Sequence, residues 1–269
     1  MKSEFKDQLA LPAELLGETA RAVGFLSRLP VPARFFSGAV VPLSEAVRSF
    51  PLAGLIIALP AAMLLAMLTA AHAPALLAGG LVVALQIAVT GALHEDGLAD
   101  TADGFGATAD PERALEIMKD SRIGSYGTIA LILSIGLRVA SIGALCVMLT
   151  PFAAFFAFLG VAAASRAAMV WHWQALPSAR PDGIAGKAGN PDEKAANWAI
   201  GLGVALLVLC VSASGGLVAG AGALAAIAAV TALFTRHVDM RIGGRTGDTI
   251  GAAQQCAEIA ALVALALIL

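Results

Sequence analysis

Four carboxylates lie within a short stretch of an otherwise apolar chain, at Glu95, Asp96, Asp100 and Asp103. If this stretch is helical, Asp96, Asp100 and Asp103 stand at positions i, i+4 and i+7 and share one face. Like charges at this spacing repel one another, so a bound cation would turn the repulsion into a binding site. Carboxylate oxygens suit Mg²⁺ or Mn²⁺, and no His or Cys ligand set accompanies them. The spacing therefore predicts a magnesium site, with a solvated acidic loop as the alternative.

Two glycine-rich segments that carry basic residues are candidates for binding phosphate beside such a metal. In the first, Lys119 and Arg122 precede a Gly-Ser-Tyr-Gly sequence at 124–127, whose backbone N–H groups and Ser125 could cradle phosphate oxygens. The second segment spans 243–251 and has an open glycine backbone; its polar side chains include Arg245, Thr246 and Asp248. The alternatives are positively charged loops that flank membrane spans, and a plain glycine-rich turn.

Two further loop segments could contribute side chains to a substrate site. Asp110 followed by proline predicts the start of a short helix, and that helix would carry Arg113, Glu116 and Asp120 on one face. Arg180 precedes a Pro-Asp-Gly sequence that either closes over a substrate or forms an ordinary turn. We include Arg113, Asp120 and Arg180 among the candidate substrate contacts.

Three polar residues lie in or beside apolar segments. His94 is expected to orient a neighbour or support the structure rather than to ligate a metal. Arg138 lies near the middle of an apolar run, where either an internal ion pair or a substrate contact would satisfy it. Arg166 is nearer the end of its run and is predicted to reach the substrate. The chain has no Gly-x-Ser-x-Gly sequence and no activated cysteine, which argues against covalent nucleophilic catalysis.

The composition indicates an integral membrane protein in which these residues are exceptions. Hydrophobic residues make up 59% of the 269 positions and charged residues only 13%, against about 25% charged in soluble domains. The mean hydropathy is +0.84. A net charge of −2 argues against nucleic-acid binding. We find no internal repeat or linker, so the chain is predicted to be one polytopic domain, with a cytoplasmic or interfacial N-terminal segment at 1–50 and a helical bundle at 51–269.

The apolar runs predict seven transmembrane helices, because a span needs about 20 apolar residues. They lie at 51–71, 77–94, 127–149, 151–173, 197–213, 217–235 and 251–269. All Lys and Arg residues except Arg138 and Arg166 lie in the N-terminal segment or the three longer loops. The positive-inside rule therefore predicts that the N-terminus and the catalytic loops are cytoplasmic. The expected architecture is an all-α membrane protein with its polar chemistry on one face.

Several stretches together resemble the cobalamin synthase family. They are FLSRLPVP at 25–32, FPLAG at 50–54, the acidic stretch at 94–104, EIMKDSRIGSYG at 116–127 and GRTGDTIG at 244–251. The resemblance implies a magnesium-dependent enzyme of the bacterial inner membrane. It implies transfer from adenosylcobinamide-GDP to α-ribazole or α-ribazole 5′-phosphate, with release of GMP and formation of adenosylcobalamin or its 5′-phosphate.

On this resemblance we assign roles to the candidate residues as hypotheses. Asp96, Asp100, Asp103 and Asp248 would hold Mg²⁺, and Asp103 would accept the ribazole hydroxyl proton, with Asp100 as the second catalytic carboxylate. The substrate contacts would be His94, Arg113, Lys119, Asp120, Arg122, Ser125, Arg166, Arg180, Arg245 and Thr246. The expected partners are the two substrates and membrane lipid, with a homo-oligomer as an option.

Two other functions compete with this hypothesis. The first is another metal-dependent transfer of a phosphoalcohol, as in the CDP-alcohol phosphotransferases, whose full aspartate motif this chain lacks. The second is a cation-coupled transporter that uses the carboxylates as an ion path. A carrier usually places ionisable groups near the midplane, whereas here almost all charged residues lie outside the predicted spans.

Overall fold

The computed structural model describes residues 2–36 and 42–269, with side chains for all of them except 2–13, 184–185 and 213–215. The described part has no β-strand, and its helices are connected by short loops. They are α1 (Lys2–Leu26), α2 (Phe50–Ala70), α3 (Ala75–Thr90), α4 (Leu93–Ala107), α5 (Pro111–Ile117), α6 (Ser125–Met148), α7 (Pro151–Ala175), α8 (Ile184–Lys187), α9 (Glu193–Ile242) and α10 (Gly247–Ile268). Two 3₁₀ segments, Ala33–Phe35 and Leu43–Ser49, precede α2.

The helices confirm the predicted multi-span architecture and change the end of the second predicted span. Six are long and apolar enough to cross a membrane: Leu43–Ala70, Ser125–Met148, Pro151–Ala175, Glu193–Ser212, Gly216–Ile242 and Gly247–Ile268. The span predicted at 77–94 instead ends at Thr90, because Gly91 and Ala92 adopt left-handed conformations with φ of 65° and 59°. The chain then bends by 91° into α4, and the pair α3 and α4 forms the seventh crossing if it is counted as one broken span.

Helix α7 occupies the centre of the bundle. Nearly all of its spanning residues are buried, a larger share than in any other of the six spans. Its sequence is rich in alanine, and it packs against α2, α9 and α10. Small residues allow helices in lipid to approach closely, and a Cβ at Gly54 of α2 would lie only 2.7 Å from the Ala162 carbonyl oxygen of α7.

The long loops meet at one end of the bundle. The Arg180 side chain reaches Asp248 at the start of α10, and Ser178 forms an isolated β-bridge with Arg245. The Ser44 N–H donates to the Ala188 carbonyl across 3.3 Å, which joins the segment before α2 to the loop before α9. The fold therefore brings the predicted catalytic loops together.

Candidate active site at the loop end of the bundle

Helix α4 carries the acidic stretch, as its spacing predicts. It lies outside the six spanning helices, and its three aspartates differ in burial: Asp96 is exposed, Asp100 is half-buried and Asp103 is buried. Asp96 and Asp100 therefore remain accessible to a ligand on the predicted face, whereas Asp103 points into the protein.

Asp248 joins the acidic face from the first turn of α10. The two helices approach closely at Gly97, where a Cβ would lie 2.7 Å from the Asp248 carbonyl oxygen. Burial, together with the negative charges of Asp96, Asp248 and Asp103, raises the pKa of Asp100 to about 7. A raised carboxyl pKa marks carboxylates that lack enough positive charge to balance them, and a divalent cation would supply that charge.

These carboxylates fit a metal that keeps part of its water shell. Within the described residues, no group of three His, Cys, Asp or Glu side chains is gathered closely enough to enclose an ion. Mg²⁺ is commonly held by one or two carboxylates together with water and substrate phosphates. The oxygen-only donors Asp96, Asp100 and Asp248 suit that mode and not an all-protein cage.

Asp103 was predicted to be a metal ligand and general base, but its carboxylate is already hydrogen-bonded within the protein. Its two carboxylate oxygens accept the backbone N–H groups of Gly124 and Gly127, at 2.7 and 2.8 Å. Those N–H groups belong to the first turn of α6, where a helix leaves donors unpaired and where negative charge is favourable. The buried Asp103 thus fixes the loop before α6 against α4.

The basic loop between α5 and α6 is exposed. Its predicted start is confirmed, because Asp110 accepts the Glu112 N–H at 3.1 Å and α5 begins at Pro111. The helix ends at Ile117, however, so Asp120 does not share its face with Arg113, contrary to the prediction.

Both arginines among the candidate substrate contacts of this loop are paired with carboxylates. The Arg122 guanidinium contacts Asp120 at 2.6 Å, and its hydrogen bonds lower the pKa of Asp120 to about 2. Arg113 pairs with Glu116 at 2.7 Å. Lys119 and Ser125 are exposed. The loop therefore presents Lys119 and the hydroxyl of Ser125 to solvent beside α4.

Thr246 and Arg245, in the glycine-rich segment before α10, have different structural roles. Thr246 caps α10 by accepting the Thr249 N–H, and its hydroxyl donates to Asp248 at 3.2 Å. Arg245 is fully buried and donates to the carbonyl oxygens of Leu176 and Gly189 and to the Asn190 side chain, at 2.7, 3.1 and 2.6 Å. Arg245 thus ties two loops together and has no exposed surface from which to contact the predicted phosphate.

Arg180 is the cation that faces the acidic cluster. Its guanidinium contacts Asp248 at 3.5 Å and also donates to the Leu115 carbonyl oxygen of α5. The side chain is 16% exposed, so it retains access to a ligand at the carboxylates. Arg180 therefore links the loop after α7, the end of α5 and the start of α10 around the site.

Arg166 lies in the bundle interior instead of at the substrate face. It contacts Glu258 of α10 at 3.1 Å, and Arg138 of α6 contacts Glu95 at 2.9 Å and Glu258 at 3.6 Å. Gln254 also donates to Glu258 at 2.6 Å. Sequence reasoning gave Glu95 and Glu258 no role, although ionisable residues within membrane helices are the signal that could have identified them. Two acids and two arginines form a buried, charge-balanced network directly below the acidic face.

A cavity of about 210 Å³ opens beside Asp96 and Asp248. Its walls come from α1, α2, α4, α7, α10 and the loop before α9, and most of its lining is apolar or aromatic. The lining residues are Phe25, Leu26, Leu43, Phe50, Leu93, His94, Asp96, Gly97, Met169, Trp173, Ala188, Gly247, Asp248, Ile250 and Gly251. An apolar cavity with carboxylates at its edge is typical of a ligand site.

Comparison with known proteins identifies the family to which the chain is similar. Residues 18–266 match the CobS family, described as cobalamin-5-phosphate synthase. A relative from Sinorhizobium medicae (strain WSM419), named adenosylcobinamide-GDP ribazoletransferase, is 54% identical over 94% of this chain and 97% of its own length. Relatives with the same name from Rhizobium meliloti (strain 1021) and Brucella melitensis biotype 1 (strain ATCC 23456 / CCUG 17765 / NCTC 10094 / 16M) are 55% and 44% identical, over 94% and 95% of this chain and 97% and 98% of their own lengths.

No solved structure matches the chain. The family match covers nearly all of the described helices, including α4, the loop before α6 and the start of α10. The residues of the acidic face, the basic loops and the spanning helices thus lie within the matched region. The chain is a member of the CobS family, cobalamin-5-phosphate synthase.

Proposed function

We propose that this protein transfers the adenosylcobinamide-phosphate group of adenosylcobinamide-GDP to α-ribazole or α-ribazole 5′-phosphate. In this reaction a ribose hydroxyl oxygen forms a bond to the phosphorus that carries cobinamide. The bond from that phosphorus to the bridging oxygen of the diphosphate breaks, and GMP leaves with the electron pair. The observation that carries the proposal is the acidic face of α4 and α10 beside an apolar cavity, in a chain whose near full-length relatives bear this enzyme name.

Asp96 and Asp248 would hold Mg²⁺ with Asp100 nearby, and the metal when bound would neutralise the diphosphate charge. The mutual repulsion of these carboxylates supports this assignment. Arg180 contacts Asp248 and lies where it can bind a phosphate oxygen. Lys119 is exposed on the loop that Asp103 holds against α4, and it is the second candidate for a phosphate contact.

We assign Asp100 as the residue that accepts the ribose hydroxyl proton. A general base must lie within hydrogen-bond reach of the proton that it accepts, and the half-buried Asp100 lies one helical turn beyond Asp96 on the same face of α4. Asp103, the base predicted from spacing, already binds two backbone N–H groups through its two oxygens. Asp103 therefore acts as a positioning residue in this mechanism.

We further propose that the loop end of the bundle faces the cytoplasm of a bacterial inner membrane. Almost all Lys and Arg residues lie in the segments that form this end, which is the distribution of cytoplasmic loops. Adenosylcobinamide-GDP and GMP are charged, water-soluble molecules, and this orientation would give them access from the cytoplasm.

The direct test is GMP release by detergent-purified protein supplied with adenosylcobinamide-GDP, α-ribazole and Mg²⁺. We expect Asp100→Asn to lower kcat by about 10²- to 10⁴-fold, the usual contribution of a general base. Asp96→Asn should instead raise the Mg²⁺ concentration needed for half-maximal rate. Absence of GMP release with both ribazole forms would refute the function, and near-normal turnover by Asp100→Asn would refute its role as the base.

A further inference from the structure

We propose that the cavity beside Asp96 and Asp248 binds the benzimidazole base of ribazole, with His94 hydrogen-bonded to the unsubstituted ring nitrogen. This inference rests on the proposed function and names the subsite for one of its two substrates. Neither the family match nor the names of the relatives assign a residue to that base.

The walls of the cavity suit a flat apolar ring. Phe50 and Trp173 are buried, with ring centroids 6.2 Å apart and planes inclined by 56°. The indole N–H of Trp173 donates to the Gly189 carbonyl at 3.1 Å, so its polar atom is already satisfied and its ring remains for packing. Leu26 and Met169 are also buried in this wall. Aromatic and aliphatic walls of this kind gain most from an apolar aromatic ligand.

His94 supplies a polar group that has no partner within the described part of the chain. The residue is 1% exposed, it lines the cavity, and neither ring nitrogen has a hydrogen-bond partner among the described residues. Buried polar atoms are rarely left unpaired, because losing water without a replacement partner is costly. A neutral imidazole has one donor and one acceptor, so its N–H can donate to a ring nitrogen.

The size and polarity of the cavity indicate which part of the two substrates it can bind. At about 210 Å³ it is smaller than the roughly 300–1,000 Å³ of pockets that enclose a drug-sized ligand, so it holds a fragment and not a corrin macrocycle. Guanine carries an exocyclic amine, a carbonyl and a ring N–H, most of which these walls would leave unpaired. The base of ribazole, 5,6-dimethylbenzimidazole, has two methyl groups and, once glycosylated, one free ring nitrogen.

The location of the cavity would place the ribose of a bound nucleoside next to the carboxylates. Asp96 and Asp248 line its edge, so a base inside the cavity would leave its ribose next to the carboxylates. The attacking hydroxyl would then lie beside Asp100, the proposed proton acceptor, on the same face of α4. Holding the nucleoside by its base therefore orients the nucleophile.

Binding of α-ribazole can be measured by tryptophan fluorescence, separately from turnover. The chain has three tryptophans, and only Trp173 lines this cavity. We expect α-ribazole to change the fluorescence of the detergent-purified protein, and Trp173→Phe to remove most of that change. A fluorescence change produced by GMP but not by α-ribazole would overturn the proposal, because it would place guanine in the cavity.

Two substitutions test the subsite and a third is their control. His94→Phe keeps a ring and removes its nitrogens, and Ala188→Leu fills the cavity from a partly exposed loop. Each should raise the Kd and KM for α-ribazole about tenfold while the KM for adenosylcobinamide-GDP stays unchanged. Ala228→Leu makes the same change in a separate apolar cavity between α7 and α9 and should alter neither KM.

Binding of a nucleoside of unsubstituted benzimidazole shows whether Ala188→Leu acts on the subsite or causes a general folding defect. It lacks the two methyl groups, so Ala188→Leu should weaken its binding much less than that of α-ribazole. Equal losses for both nucleosides, or unchanged α-ribazole binding in Ala188→Leu, would overturn the proposal. If His94→Phe does not fold, Ala188→Leu decides the outcome. Wild-type protein that binds α-ribazole but releases no GMP would refute the proposed function and leave the subsite supported.

Discussion

The carboxylates of α4 share a helix face but have different surroundings. Asp96 and Asp100 remain accessible and have no backbone partners among the described hydrogen bonds, whereas Asp103 is buried and accepts two backbone N–H groups. The same side chain type is thus accessible at one end of the helix and positions a loop at the other. Burial and hydrogen bonding, not spacing, separate these tasks.

We predict that Asp103→Asn loosens the loop before α6. The Gly124 and Gly127 N–H groups donate to different oxygens of Asp103, and in Asn one of these oxygens becomes an NH2 group that faces an N–H donor. The loss should be about 1–3 kcal/mol and should appear as faster tryptic cleavage after Lys119 and Arg122. Asp110→Asn is the control, because Asn caps a helix as well as Asp. If the cleavage rate is unchanged and the Mg²⁺ concentration needed for half-maximal activity rises, Asp103 is a metal ligand and not a positioning residue.

The helices that carry the site are held together by two kinds of contact. At Gly97, α4 lies against the backbone of Asp248, which is what brings the acids of two helices onto one face. Below it, the buried network of two acids and two arginines joins α4, α6, α7 and α10. Close packing sets the separation of α4 and α10, and the ion pairs set their register.

We expect Gly97→Ala to separate α4 from α10 and lower the rate of GMP release by about 10- to 100-fold, since misplacement of a catalytic group by about 1 Å has effects of this size. Gly80→Ala is the matched control in α3, where an added Cβ meets nothing within 4 Å. That substitution should leave activity unchanged and stabilise the helix by about 0.5–1 kcal/mol. Normal turnover in Gly97→Ala would show that the acids do not need this close approach.

Removing one member of the buried network should destabilise the protein. Arg138→Met leaves Glu95 without its 2.9 Å partner in the interior and should cost about 3–5 kcal/mol. Adding Glu95→Gln restores the charge balance and should recover part of the loss. Arg122→Met removes an exposed ion pair and should leave the unfolding temperature nearly unchanged. Thermal unfolding in detergent measures all three, and equal stability of Arg138→Met and wild type would contradict the role of the network.

As a whole, the protein is a helical bundle with an apolar exterior and a polar end. Large side chains such as Ile132, Leu209 and Leu233 are 65, 70 and 66% exposed on outer helix faces, as expected where lipid replaces water. The described loops that carry the acidic and basic candidates meet at one end. The opposite end of the described chain consists of short connections between α2 and α3 and between α6 and α7, together with the break at Gly216, where a non-helical backbone conformation divides α9 into two halves.

This architecture predicts which segments label from each side of the membrane. In a background with the three native cysteines replaced by serine, Lys119→Cys should react with a membrane-impermeant maleimide only in inside-out vesicles. Ala71→Cys, in the connection between α2 and α3, should react only in intact spheroplasts. The reverse pattern would place the active site outside the cytoplasm and contradict the proposed orientation.

Local properties of the chain were enough to predict most of its spanning helices. Runs of about 20 apolar residues can only be satisfied as helices in lipid, so the spans follow from composition and length. The spacing of Asp96 and Asp100 placed them on one face because helical periodicity is a local property. The Asp110 cap and the start of α5 at Pro111 followed in the same way.

The partners of buried charges depended on the packing of helices that are distant in the chain. Glu95 meets Arg138 and Glu258 meets Arg166, and Arg245 is enclosed by carbonyl oxygens from another loop. No local pattern encodes these pairs, because each depends on how α4, α6, α7 and α10 pack together in three dimensions. Sequence thus determined the membrane helices and the acidic face. Tertiary structure alone decided which charged side chains remain accessible at the loop end and which hold the bundle together, because burial and hydrogen-bond partners exist only once the helices are packed.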